Sequence, residues 1–249
     1  MHDAHCHIDL YPFYRKELAA IAGAGLRTIA VTNAPSVFDA MVVLAKDIPQ
    51  VFPAIGLHPE LVAERERELP LLLERLTTVR FVGEVGLDFS DPTRDRTRQV
   101  RVLEQILGEC ARRPGKILSL HSRRAESEVV RLVGPKFPGT PILHWYSGPP
   151  KIVDQALSSG FYFSVNSAMI RSERGQALIS SLPEERILTE SDGPFVQVGG
   201  VPATPADVKL VLSYLAAKWR KSVKEVEVTV DSNFDRILAA SQSTTETSW

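Results

Sequence analysis

His5 and His7 stand two apart in the run Asp3-Ala4-His5-Cys6-His7, so in an extended strand both imidazoles face one side and can bind the same metal ion. Alone the pair is weak evidence, since two strand histidines serve structure equally well. Further donors fall in short apolar runs downstream: Glu84 in Val82–Asp88, His121 in Ile117–Ser122, His144 in Pro141–Tyr146 and Asp192 in Ile187–Pro194. The set His5, His7, Glu84, His121, His144 and Asp192 mixes imidazoles with carboxylates, the donors of hydrolytic divalent ions. Six donors exceed what one catalytic ion with an open position requires. Two divalent ions about 3.5–4 Å apart, bridged by a carboxylate, use them economically, and Mg²⁺, Mn²⁺ or Zn²⁺ would each suit.

Donors this far apart in sequence need a scaffold that gathers strand ends. Apolar runs near residues 3–7, 27–32, 51–57, 80–86, 116–121, 141–145, 161–165 and 187–191 read as strands buried on both faces. Amphipathic stretches near 13–24, 36–46, 60–77, 95–112, 125–133, 149–158, 174–181 and 205–218 read as the helices between them, with one or two more within 222–240. Repeated βα units of this kind predict an α/β fold whose parallel sheet closes into a TIM (β/α)8 barrel of the metal-dependent hydrolase type. The rival architecture is an open doubly wound sheet. A barrel collects its reactive groups at the C-terminal ends of the strands, where this chain carries His5 and His7, Asn33, His58, Glu84, His121, His144, Ser164 or Asn166, and Asp192. Residues 1–240 are expected to form a single domain, followed by a polar C-terminal tail over 241–249.

The composition excludes several classes. With 249 residues, 44% hydrophobic and 24% charged, the chain suits a globular fold, and no apolar run approaches the ~20 residues that cross a bilayer. Met1-His2-Asp3-Ala4-His5 lacks a basic segment followed by an apolar stretch, so a cytoplasmic location is the default expectation. Cys6 and Cys110 are too few for a disulfide framework and are expected reduced. Cys6 should face away from His5 and His7, and Cys110 should lie in the core with Leu103, Ile106 and Leu107. A net charge of −1 argues against broad affinity for nucleic acid and leaves any grip to a local cationic surface.

The motifs together resemble the TatD-type metal-dependent deoxyribonucleases over nearly the whole chain. The matching segments are Asp3-Ala-His5-Cys-His7-Ile-Asp9, Gly56-Leu-His58-Pro59, Gly83-Glu84-Val-Gly86-Leu-Asp88, His121-Ser-Arg123, His144-Trp-Tyr-Ser-Gly148 and Glu190-Ser-Asp192-Gly-Pro194, in the family's order. The resemblance implies that His5, His7, Glu84 and Asp192 hold one metal while Glu84, His121 and His144 hold the second. Many similar amidohydrolases bridge their metals with a carboxylated lysine on the fourth strand; Glu84 stands here instead and favours the nuclease branch. On that reading DNA is the substrate, and Asp192 positions or deprotonates the attacking water. The opening His7-Ile-Asp-Leu-Tyr-Pro12 is similar to the TatD-like component of the Qat anti-phage systems, which implies bacterial antiviral defence in company with partner proteins.

Around the ligands, His58 is expected to bind substrate or donate a proton, or else to cap its loop, since neither metal sphere needs it. Asp3 is a candidate to orient a histidine ligand. Arg123 and Arg124 are candidate phosphate clamps, Arg123 the better one. Trp145 and Tyr146 could stack on a base, although strand-end aromatics more often pack. Arg94, Arg96, Arg98 and Arg101 could form a nucleic-acid track, but the interleaved Asp91 and Asp95 favour a solvated helix start. TatD enzymes commonly carry a charged loop after the last ligand, whereas Phe195–Pro205 here has no charged residue, so the chain alone is expected to cleave DNA feebly and gain from a partner. The alternatives are a small-molecule amide or ester hydrolase on the same scaffold and a noncatalytic metal-binding subunit.

Overall fold

The computed structural model describes residues 1–242. Eight parallel strands, β1 (His2–Cys6), β2 (Arg27–Val31), β3 (Val51–Ala54), β4 (Phe81–Gly86), β5 (Ile117–His121), β6 (Thr140–His144), β7 (Tyr162–Val165) and β8 (Ile187–Thr189), follow one another in space as in sequence. Ile55 bridges to Val82 between β3 and β4, and the Asp192 N–H donates to the His5 carbonyl at 3.0 Å beyond β8 and β1. These links close the sheet into the expected barrel and leave the open-sheet rival aside.

Every strand sends a buried side chain into the lower interior, and β2 sends two: Ala4, Ile29, Val31, Ala54, Phe81, Ile117, Ile142, Tyr162 and Leu188 form one apolar cluster. Phe234 and Ile237 join it from the C-terminal helix, which plugs the barrel end opposite His5, His7, His121 and His144. Because the floor is packed with apolar side chains, polar groups concentrate at the other mouth. Cys6 packs outward with Ile8, Leu18 and Ile21, and Cys110 is buried with its thiol pushed up to about 12 by burial.

The outer ring comprises α1 (Tyr14–Ala24), α2 (Pro35–Ala45), α3 (Val62–Arg65), α4 (Leu69–Arg75), α5 (Arg96–Arg112), α6 (Glu126–Val133), α7 (Pro150–Ser158), α8 (Ser167–Arg171), α9 (Glu173–Ser181), α10 (Val208–Trp219) and α11 (Val223–Gln242). Three differences from the sequence pattern have local causes. The helix expected over 60–77 is divided, because Pro70 lacks an N–H and its ring cannot tolerate the carbonyl four residues back; α4 restarts with Pro70 in its first turn. An unexpected short helix, α8, begins where the Asn166 side chain accepts from the N–H groups of Ala168 and Met169. The uncharged stretch Phe195–Pro205 contains a hairpin of β9 (Gln197–Val198) and β10 (Val201–Pro202), turned by Gly199 and Gly200 at φ 59° and 82°. At the end of the chain α11 runs through Gln242, two residues beyond the expected domain limit of 240; residues 243–249 of the expected tail lie outside the described residues.

Two strands slip where they carry ligands. The β1/β2 pairing shifts between Asp3 and Cys6, and β4/β5 shifts between Val82 and Val85, on either side of Glu84. Such irregularities bend a strand and re-aim its side chains. Gly56 makes room for the second: a Cβ there would stand 2.2 Å from the Thr32 carbonyl and 2.3 Å from the Glu84 nitrogen.

Candidate metal centre

Glu84, at the slip in β4, lies buried at the centre of the barrel mouth. Its Oε2 is 3.6 Å from His5 Nε2 and 3.3 Å from His7 Nε2, both on or just after β1. Asp192 Oδ1, from the loop after β8, lies 3.5 Å from His5 Nε2 and 3.7 Å from His7 Nε2. The two imidazole nitrogens are themselves 3.1 Å apart. Ligands at about 2.0–2.2 Å from a tetrahedral centre are separated by about 3.3–3.6 Å, so this donor set has the spacing and the N/O chemistry of a divalent-ion site.

The other oxygen, Oε1, faces a second set. His121 Nδ1 is 2.6 Å away, His144 Nε2 2.9 Å and His58 Nε2 3.3 Å, with His144 Nε2 and His121 Nδ1 3.4 Å from each other. The His144 ring lies flat against that of His5, centroids 3.9 Å apart, and so ties the two sets together. The six sequence-read donors therefore converge. His58, which neither expected metal sphere requires, also reaches Glu84, because the Gly56–Pro59 turn after β3 brings it over β4; its Nδ1 accepts from the Glu60 N–H at 3.2 Å.

The charges are strongly coupled. Burial opposes the Glu84 charge, but His58 and His144, with hydrogen bonds from His121 and His144, hold its carboxyl well below the usual range. Burial, with Glu190 and Glu84 nearby, pushes Asp192 well above it, against the pull of His144. Burial next to His144 lowers His5, whereas His144 overcomes its own burial through Glu84 and Glu190 and is raised. Acids and imidazoles that distort one another this way without a cation are what a bound cation would relieve. Buried Nδ1 atoms of His7 and His144 also lack a hydrogen-bond partner among the described residues. The residues fit a divalent metal.

A supporting layer escaped the motif reading. Asp88 Oδ2 receives His121 Nε2 at 2.8 Å and orients that ring. Ser119 Oγ does the same for His5 Nδ1 at 2.7 Å. Glu190 is fully buried beneath the β6 and β7 ends, accepting from the Trp145 N–H at 3.0 Å, from Asn166 Nδ2 at 2.9 Å and from the Ser164 hydroxyl. Signals existed: Ser119 is two residues from His121 on one strand, and Asp88 and Glu190 lie inside motif segments. Asp3 proves to hold backbone instead of an imidazole. Its carboxyl, raised to about 8 by burial, accepts from the His5 N–H and from Ser191 N–H and hydroxyl, joining β1 to the chain after β8.

Asp88→Asn is expected to weaken metal binding at the His121 side by about 10–100-fold, since the amide no longer polarises the ring. A metal titration resolving two uptake steps checks this; unaltered steps would assign Asp88 to loop structure alone.

The mouth has a defined rim. Arg123 is exposed, with no ion-pair or side-chain hydrogen-bond partner for its guanidinium among the described residues, and it lines the cavity over Glu84. Trp145 lines that cavity too and is 38% exposed, so the packing expected of it falls instead to Tyr146, which is buried. Phe195 stands over His7, ring centroids 4.9 Å apart, at the root of the β9–β10 hairpin. The arginines near 94–101 are occupied elsewhere: Arg94 pairs with Glu60, Arg98 and Arg101 with Glu66, and Arg96 lies over Phe89.

Comparison with known proteins finds relatives of the whole chain. A family model described as "TatD related DNase" matches residues 2–239. The chain is 27% identical to the putative deoxyribonuclease TATDN3 of Mus musculus, across 97% of this chain and 89% of that one. It is 31% identical to the 3′-5′ ssDNA/RNA exonuclease TatD of Edwardsiella piscicida, across 61% and 62% of the two chains. Among solved structures, the TatD homologue YjjV of Escherichia coli superimposes with a TM-score of 0.83 at 25% identity, covering 94% of this chain and 95% of that one.

Proposed function

Since the chain belongs to the TatD-related DNase family, we propose that it hydrolyses phosphodiester bonds of DNA with two divalent ions. The observation that carries this reading is the division of donors about Glu84, Oε2 toward His5 and His7 and Oε1 toward His121, His144 and His58. On this reading His5, His7, Glu84 and Asp192 hold one ion, and Glu84, His121 and His144 hold the other, with Mg²⁺, Mn²⁺ and Zn²⁺ all compatible with the donors. Bound there, the ions supply Lewis acidity, making a water easier to deprotonate and neutralising charge that grows on the phosphoryl oxygens.

The chain's own groups supply the remainder. Asp192, buried beside His5 and His7, orients the attacking water and accepts its proton. His58, partly exposed at the rim, is placed to bind the substrate or protonate the leaving oxygen. Arg123 offers a planar fork of donors to the non-bridging oxygens, and Trp145 an aromatic face to a base. DNA as substrate is supported by the names of the mouse and Edwardsiella relatives.

Elemental analysis after metal loading, run beside digestion of end-labelled single- and double-stranded DNA, tests the reading. Metal uptake with cleavage that stops on chelation is the expected result. Turnover of a nucleotide-free ester or amide without DNA cleavage would make the chain a small-molecule hydrolase, and bound metal without turnover of either would make it a noncatalytic subunit. Arg123→Ala should lower kcat/KM on DNA by about tenfold or more without releasing metal, and flatten the salt dependence, because its partner is a phosphate. Metal loss or unfolding in that variant would make Arg123 structural.

The setting we propose is the cytoplasm, within a bacterial anti-phage system. It is supported by the similarity of residues 7–12 to the Qat component and by the uncharged hairpin loop. No helix among the described residues is long and apolar enough to cross a membrane. Adding the products of neighbouring genes should raise kcat/KM on DNA; full turnover by the chain alone, unchanged by any partner, would remove the defence assignment.

A further inference from the structure

We infer that a single-stranded polynucleotide runs from the metal centre across Trp145 and along a groove that ends at Arg174. The inference rests on the phosphodiesterase reading, for which a single strand is the form named in the Edwardsiella relative, and adds the path of that strand over this chain's own residues.

Three cavities adjoin one another at the barrel mouth. The first, of about 250 Å³, lies over Glu84 and Asp192. The second, of about 310 Å³, lies beyond His121 and His144, against Ser122 and Ser147. The third, of about 190 Å³, continues between the loop after β6 and helix α9, over Met169 and Leu178 to Arg174. Trp145 lines all three, Arg123 the first two, and Ser147 the last two. The side chain shared by every compartment is therefore an exposed indole.

The backbone that carries the indole is held in place. Trp145 has φ 37°, in the left-handed region that a large side chain seldom adopts, and its N–H donates to the buried Glu190 carboxyl. A backbone anchored from below leaves only the side-chain torsions to lose freedom when a base stacks on the ring. In a duplex both faces of a base are covered by its neighbours, so an aromatic platform selects an unpaired nucleotide or a frayed end.

The cations along the mouth divide in the same sense. Arg94, Arg98 and Arg101 are neutralised by Glu60 and Glu66, and Arg171 donates to the Gln197 carbonyl of the hairpin at 2.8 Å. Arg123 and Arg174 are exposed and have no ion-pair or side-chain hydrogen-bond partner among the described residues. Arg123 lines the first two cavities and Arg174 the third, and Trp145 is common to all of them. Two free guanidiniums and a shared stacking surface match the phosphates and bases of a single strand. The net charge of −1 is no obstacle, because the grip is local.

The test uses the metal-loaded full chain with bis(p-nitrophenyl) phosphate, which has no bases, with single-stranded oligothymidylates of increasing length, and with a blunt duplex. Relative to the small diester, kcat/KM is expected to climb roughly ten- to hundredfold as the first few nucleotides are added and then level off. The duplex should lag behind the longer single strands. Trp145→Ala should remove most of the climb and Trp145→Phe restore much of it. Arg174→Ala should remove only the last increment and reduce the salt slope by about 0.7, the contribution of one phosphate. Length-independent kcat/KM, or the same climb in Trp145→Ala and Arg174→Ala, overturns the groove while small-diester turnover leaves the phosphodiesterase reading standing. Turnover of neither small diester nor DNA overturns both.

Discussion

Glu84→Gln is expected to lose both ions and to lower kcat/KM on DNA by on the order of 10³-fold or more. The carboxylate faces both donor sets, with Oε2 3.3 Å from His7 and Oε1 2.6 Å from His121. An amide removes the negative charge both ions share and puts an NH2 group, which has no lone pair to offer a metal, where one of the two carboxylate oxygens stood. Several kcal/mol of transition-state stabilisation go with the ions, and each ~1.4 kcal/mol is a factor of ten. His121→Ala supplies the contrast, because it removes a ligand from one side and should chiefly weaken one ion. Elemental analysis on both variants decides the matter: two ions retained by Glu84→Gln would end the bridging assignment.

Glu190→Ala should be the most destabilising single change near the site, by on the order of 3–5 kcal/mol. Its carboxyl accepts from the Trp145 N–H, from Asn166 and from Ser164, in a place with no exposed surface. Truncation leaves those donors buried without an acceptor, at about 1–3 kcal/mol each, and opens a cavity between the ends of β6, β7 and β8. For a domain of this size that corresponds to a Tm lower by roughly 10 °C. The expected signature is a lowered urea midpoint measured without metal, so that loss of ligand binding plays no part. A wild-type midpoint would mean that water replaces the carboxyl and that Glu190 does not hold the Trp145 loop.

Most of the barrel was readable because its signals are local. Apolar runs mark strands buried on both faces, and a polar residue closing each run marks the mouth, whatever the strand pairs with. The broken helix at Pro70 was readable in principle and was passed over; the 167–171 helix depended on Asn166 capping it while also donating to Glu190 from another strand's loop. The β9–β10 hairpin was read only as a loop without charge, yet Gly199-Gly200 is the turn signal that pairing its short arms required.

At the site the sequence by itself determined which atoms are available and at which strand ends: His5, His7, Glu84, His121, His144 and Asp192 are identified by type and position alone. Only the tertiary structure decided how they divide. Which oxygen of Glu84 faces which imidazoles follows from the register slips at Asp3–Cys6 and Val82–Val85 and from the closing link between Asp192 and His5. The same closure brings His58 among the donors, sets Asp88 behind His121 and Glu190 under Trp145, and leaves Trp145 exposed while Tyr146 is buried. The physical reason is that donor identity is a property of single residues. Spacing at the level of ångströms is set by pairing between strands distant in sequence, and a slip of one residue there re-aims every side chain beyond it.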